Sequence, residues 1–168
     1  MKFIHTSDLH IGKKIFETSL LEEQHYMLRQ IFQLAVEEKV EALVIAGDIY
    51  DRSVPSTEAV TLLDEFLTWF AGAKIPVILV SGNHDSPERV GFADKILEKQ
   101  GIYIAGNYEG SLRRVELEDE YGKVQFVCLP FVKPAVVNTA NCAEAVAEIL
   151  KREAIDFADG MRRVLVTH

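Results

Sequence analysis

Three short stretches of this 168-residue chain carry polar groups of the kinds that hold metal ions and work beside them. They are Asp8-Leu9-His10, Gly47-Asp48-Ile49-Tyr50-Asp51 and Gly82-Asn83-His84-Asp85. Asp8 and His10 alternate about Leu9, so in an extended segment both side chains point to the same side, as two ligands of one ion require. Glycines at 47 and 82 let the backbone turn tightly where a side chain would obstruct a site. Carboxylate, imidazole and amide donors without a thiolate suit manganese, iron or zinc, and a carboxylate such as Asp48 can bridge two ions. Singly, each stretch is ordinary. Asp-x-His recurs by chance, Gly-Asp is a common turn after a strand, and asparagine and aspartate stabilise turns by bonding their own backbone. All three together, each behind a hydrophobic run, point to a dinuclear metal centre.

Groups on separate stretches reach one centre only if the chain brings the stretches together. Apolar, β-branched runs end just before each of them, at Lys2 to Thr6, Ala42 to Ala46 and Val77 to Ser81; two more follow at Val124 to Leu129 and Val164 to Thr167. Steps of roughly 35 to 40 residues between the motifs fit strand–helix–strand units. Ser19 and Glu22 have the spacing of a capping box, so a first helix is expected from there to about Glu38. A second is expected after Pro55-Ser56 and a third after Ser86-Pro87, where proline at the first helical position gives up an N–H that no helix bond needs. This alternation predicts an α/β fold, a layered β-sheet core flanked by helices. The loops at the carboxyl ends of its strands gather in one crevice, with Asp8, His10, Asp48, Asn83 and His84 at one edge of the sheet. Leu112 to Leu117 and Val124 to Leu129, about the polar turn Glu118 to Lys123, read as an antiparallel hairpin.

The three motifs resemble the first blocks of the calcineurin-like metallophosphoesterases. The fuller strings Ile4-His-Thr-Ser-Asp-Leu-His-Ile-Gly-Lys13, Ala46-Gly-Asp-Ile-Tyr-Asp-Arg52 and Ser81-Gly-Asn-His-Asp-Ser86 are similar to the DNA-repair exonuclease branch of that superfamily. The resemblance implies two divalent ions, with Mn2+ the expected occupant: Asp8 and His10 on the first, Asp48 bridging, Asn83 and His168 on the second. It implies that His84 is a catalytic histidine that does not coordinate, stabilising charge on a phosphate or protonating the leaving oxygen, and that the Asp51 carboxylate orients it. Its further implications are a metal-dependent nuclease subunit acting on DNA, an ABC-type ATPase partner and a homodimer. The same chemistry could serve another phosphodiester or a phosphoprotein. A non-catalytic scaffold is the reading from another class, but it has no need of so costly a polar cluster. The family's final Gly-His-x-His block is absent, and Val164-Leu-Val-Thr-His168 reads as a strand leaving the core, where natural domains seldom end. Residues 1–168 are therefore expected to be the N-terminal part of a truncated metallophosphoesterase domain, with a ligand block and a capping domain outside it.

Hydrophobic residues make up 48% of the chain, enough for a real core, and no apolar run approaches the length of a membrane span. Cys128 and Cys142 form neither a disulfide framework nor a Cys-x-x-Cys pair, so a reducing cytoplasm is the expected location, and Cys128 reads as core packing. The formal charge of −8 runs against nucleic-acid binding, but a dinuclear site needs carboxylates whose ions then reverse the local sign. Arg52, Lys13 and Lys14 follow the metal loops and are candidates for substrate phosphates, with Arg52 foremost. His5 is expected to be a core histidine and His25 a structural or exposed one. On the helix after Pro55, Val60, Leu63, Leu67 and Phe70 form one apolar stripe and Leu62, Phe66 and Trp69 another. With the family's dimeric habit, the second stripe favours a helix-mediated homodimer.

Overall fold

Apolar runs become strands where both of their faces can be covered. Ala42-Leu-Val-Ile-Ala46 and Val77-Ile-Leu-Val80 are buried at every position, the pattern of central strands in a parallel sheet. The computed structural model describes residues 1–153 and 160–168. In chain order its elements are β1 (Phe3–Thr6), β2 (Lys14–Ile15), β3 (Thr18–Ser19), α1 (Leu21–Glu37), β4 (Ala42–Ala46), α2 (Thr57–Ala73), β5 (Val77–Val80), the short α3 (Pro87–Val90) and α4 (Asp94–Leu97), β6 (Ile102–Ala105), β7 (Arg113–Asp119), β8 (Gly122–Leu129), α5 (Cys142–Glu153) and β9 (Arg162–Thr167).

Two sheets stack face to face. The first has the order β1-β4-β5-β6 with all pairs parallel; the second has the order β7-β8-β9, antiparallel within the hairpin and parallel between β8 and β9. Val44, Ala46, Ile78 and Val80 of the first sheet meet Val115, Phe126, Cys128 and Val166 of the second in one buried cluster. The outer face of the first sheet packs Leu43, Ile45, Val77 and Leu79 against Leu28 and Ala35 of α1 and Phe66 and Phe70 of α2. On the far side, Val127 and Leu129 pack against Ala145 and Ile149 of α5. The layers are therefore helix, sheet, sheet, helix. Burying a side chain such as Phe66, which is fully inaccessible, contributes about 1.5–3 kcal/mol.

Several local expectations change in this frame. Ser19 does not cap α1: it pairs with Lys14 in the small β2–β3 hairpin, the helix begins one residue later behind Leu20, and Ser19 Oγ reaches only the Leu21 N–H at 3.4 Å. Ser56 does cap α2, accepting from the Ala59 N–H at 3.3 Å. The helix after Ser86-Pro87 lasts four residues. His5 is exposed rather than buried in the core. The two apolar stripes of α2 merge into one wide face, since Leu62, Leu63, Phe66, Leu67 and Phe70 are buried and only Val60 is exposed. Trp69 packs on Phe32 and Phe66 of its own molecule, with ring centroids 5.9 and 6.1 Å away. A dimer built on a spare α2 stripe loses its basis. Among the described residues no helix is long and apolar enough to cross a membrane.

Candidate metal centre

The parallel sheet places the ends of β1, β4 and β5 side by side, with Thr6 opposite Ile45 and Ala46 opposite Val80, so the loops that follow must meet. The first two continue the pairing beyond the strands: the N–H groups of Asp8, His10 and Ile11 donate to the carbonyls of Gly47, Asp48 and Ile49 at 3.1, 3.0 and 2.9 Å. This requires backbone conformations that non-glycine residues seldom adopt, with φ of 55° at Asp8, 44° at His10 and 50° at Asp48. Such strain persists where the surroundings hold it, and it clusters at functional sites. The two glycines are needed for close approach as well as for turning. A β-carbon at Gly82 would overlap the carboxylate and N–H of Asp48, and one at Gly47 would overlap the ring of His168.

Asp48 is the hub. Its carboxylate is only 4% exposed, and Oδ1 accepts the His84 N–H at 2.9 Å. Oδ2 then lies 3.7 Å from His10 Nε2 and 3.4 Å from His168 Nε2. Asp8 Oδ1 stands 3.9 Å from the same His10 nitrogen, and Asn83 Oδ1 3.1 Å from the same His168 nitrogen. Donors of His10, His168, Asp8 and Asn83 thus gather about one carboxylate, with both imidazoles facing the same oxygen. His168 comes from the other sheet, carried there by the parallel pairing of β9 with β8. Its Nδ1 donates to the Ala46 carbonyl at 2.9 Å, which leaves the Nε2 lone pair facing Asp48 and Asn83. A hydrogen bond from Ser7 holds the Asp8 carboxyl below its ordinary range against desolvation, with the neighbouring imidazoles of His168, His10 and His84 adding to the lowering. Ligating atoms of Asp8, Asp48 and His168 lie within 4.8 Å of one another, as do those of His10, Asp48 and His84. A buried carboxylate between the imidazoles of His10 and His168, with a free lone pair on His168 Nε2 and no thiolate nearby, fits a pair of divalent cations.

His84 stacks edge-to-face on His10 with centroids 4.8 Å apart, and its Nδ1 donates to residue 51 at 3.0 Å. The acceptor there is the main-chain carbonyl of Asp51, whereas the Asp51 carboxylate turns to His10, with Oδ1 3.6 Å from Nδ1. The orientation expected of the Asp51 side chain is therefore supplied by its backbone. That hydrogen bond is the main cause that raises the His84 pKa; the negative charges of Asp48, Asp51 and Asp85 add to it, against desolvation.

Of the basic candidates, Lys14 and Arg52 line a cleft of about 740 Å3 that reaches the centre at Asp51 and is also lined by Phe16 and Pro55. Lys13 is exposed and outside that lining. Sequence reasoning gave Asp85 no role. It is buried, with Oδ2 accepting the N–H groups of Ile49 and Gly82 at 3.1 and 2.8 Å and Oδ1 accepting that of Tyr50 at 2.9 Å. Its place beside His84 in the third motif was the available signal.

A layered sheet pair with a shared-carboxylate centre at the strand ends defines a phosphoesterase class, and the chain belongs to the calcineurin-like phosphoesterase family, whose model it matches over residues 1–150. It is similar to the SbcD subunit of the SbcCD nuclease of Staphylococcus epidermidis, 35% identical over 176 residues that cover 100% of this chain and 46% of the relative. The SbcD subunit from Staphylococcus saprophyticus is 37% identical over 132 residues, 78% of this chain and 34% of the relative. The chain spans less than half the length of these curated relatives. His168 lies past the stretch matched by the family model, and its position at the centre follows from the β8–β9 pairing alone.

Proposed function

We propose that this chain provides the metal-binding front of a DNA nuclease that hydrolyses phosphodiester bonds in repair and recombination, as one subunit beside an SbcC-type ABC ATPase in the cytoplasm. The observation that carries the reading is the Asp48 carboxylate, one oxygen of which faces His10 and His168 at 3.7 and 3.4 Å. In this reading, which follows the family resemblance, Asp8 and His10 serve one ion with Asp48 and Asn83 and His168 serve the other, although the tightest donor groups in the fold join Asp8 with His168 and His10 with His84 about Asp48. These residues would hold two divalent cations, Mn2+ in this reading, which when bound would supply Lewis-acid charge for phosphoryl oxygens and for a water nucleophile. The chain's own residues do the rest. His84, exposed and with its Nδ1–H fixed on the Asp51 carbonyl, has Nε2 left to hold a proton for the leaving oxygen. Lys14 and Arg52 meet phosphates of the flanking strand in the adjoining cleft. The reading includes a homodimer, without the buried α2 stripes as its contact.

The test is Mn2+ titration by calorimetry on the intact protein, paired with hydrolysis of duplex DNA and of a small chromogenic phosphodiester. His84→Ala should keep both ions and lose about 10²–10⁴-fold in rate. Asp48→Asn should lose metal and activity together. Equal metal loss in both variants refutes the division of roles, and hydrolysis of the small diester without DNA favours a phosphodiesterase with another substrate.

A further inference from the structure

Helix α1 sits outside all three motifs, yet one of its side chains reaches into the first metal loop. Gln24 is 9% exposed, so its amide needs partners inside the protein. It finds three, all on main-chain atoms of residues 9–12. Nε2 donates to the carbonyls of Leu9 and His10 at 3.0 and 2.8 Å, and Oε1 accepts the Gly12 N–H at 3.0 Å. Both hydrogens of the amide nitrogen are used, which also fixes which end of the side chain carries nitrogen.

The loop that Gln24 grips has one main-chain hydrogen bond of its own, from the Lys13 N–H to the His10 carbonyl at 3.0 Å. Asp8, His10 and Gly12 all have positive φ, at 55°, 44° and 91°. One edge of the loop is tied by the hydrogen bonds of Asp8, His10 and Ile11 to residues 47–49. The other edge faces α1. There the Leu9 carbonyl and the Gly12 N–H have Gln24 as their one partner among the hydrogen bonds of the described residues. His10 is held through both backbone groups, its N–H on the Asp48 carbonyl and its carbonyl shared between Gln24 at 2.8 Å and the Lys13 N–H at 3.0 Å.

We propose that Gln24 is a positioning residue for the metal centre, its amide clamping the strained Asp8–His10 loop to α1 so that both side chains stay aimed at Asp48. The assignment rests on the two-ion reading of that centre. Gln24 touches neither substrate nor the reacting atoms; it acts through the loop.

Two variants of the intact protein separate this from a general packing role. Gln24→Met keeps the volume and the helix but removes all three hydrogen bonds. Gln24→Glu keeps an acceptor for Gly12 and turns an oxygen toward two carbonyls. In Mn2+ calorimetry, both should weaken one of the two sites by about 10–100-fold, the scale for outer partners of metal ligands, and leave the other near wild type. In steady-state hydrolysis kcat should fall with KM nearly unchanged. Amide exchange, followed without metal, should be faster at Gly12 in Gln24→Met and close to wild type in Gln24→Glu. Two wild-type affinities in either folded variant overturn the assignment and leave the two-ion reading standing. Equal weakening of both sites together with a general loss of thermal stability also overturns it, as a packing effect. A wild-type protein that binds no Mn2+ overturns the two-ion reading and the clamp with it.

Discussion

Asp85 is the carboxylate whose replacement tests most directly how the second and third motifs are held together. It takes three main-chain N–H groups, two on one oxygen and one on the other, from residues 36 and 35 positions away and from its own turn. In Asp85→Asn the amide oxygen can serve the Ile49 and Gly82 donors, but the amide nitrogen then faces the Tyr50 N–H, donor against donor. One buried donor left without a partner costs about 1–3 kcal/mol. For a domain of this size each kcal/mol lowers the melting temperature by about 2–4 °C, so a fall of about 4–8 °C is expected for a loss near the middle of that range. Asp85→Ala strips all three donors and should cost at least ~3 kcal/mol. The measurement is thermal unfolding in the presence of a chelator, followed by Mn2+ titration, because the same loops carry Asp48 and His84. An Asn variant melting within about 1 °C of wild type with both ions bound normally would refute the idea that Asp85 joins the loops.

Two further outcomes follow from contacts on either side of the centre. Gly82→Ala sets a β-carbon into the carboxylate and N–H of Asp48, so overpacking should cost about 1–3 kcal/mol and Mn2+ affinity should fall at both sites, since Asp48 serves both; an Ala variant with two normal sites in calorimetry contradicts the close approach. At the other end of the molecule, Asp119 accepts two hydrogen bonds from Arg162 and one from the Met1 ammonium, and its carboxyl is held well below the usual range, by Arg162 first. A depressed folded pKa gives stability that is present above the ordinary carboxylate range and lost as pH falls through it toward the folded value. The melting-temperature gap between wild type and Asp119→Asn should therefore be widest above about pH 5 and narrow below about pH 4; a gap constant from about pH 6 to about pH 3 contradicts the linkage.

The sequence by itself determined the chemistry and the scaffold on which it stands. Hydrophobic runs of four to five residues marked β4 and β5 because a strand covered on both faces must be apolar throughout, and Pro55-Ser56 marked the start of α2, where the Ser56 hydroxyl meets a local N–H. The three polar motifs then lay at strand ends, and the fold brings Asp8, His10, Asp48, Asn83 and His84 together there. Strand β6 went unread because four apolar residues behind Gly101 carry little local signal, whereas helix α5 was missed although Asn141 with Glu144 three residues on and buried Ala145 and Ile149 four apart offered one. The tertiary structure alone decided everything carried by partners distant in sequence. His168 meets the Ala46 carbonyl across a separation of 122 residues, which only the second sheet and its parallel strand β9 can produce. Residue 51 meets His84 with its carbonyl instead of its carboxylate, and Gln24 and Asp85 hold the loops through main-chain atoms that no side-chain pattern encodes. Motifs record which groups are present. Their aim depends on hydrogen bonds to the backbone, whose geometry exists only once the layers have packed.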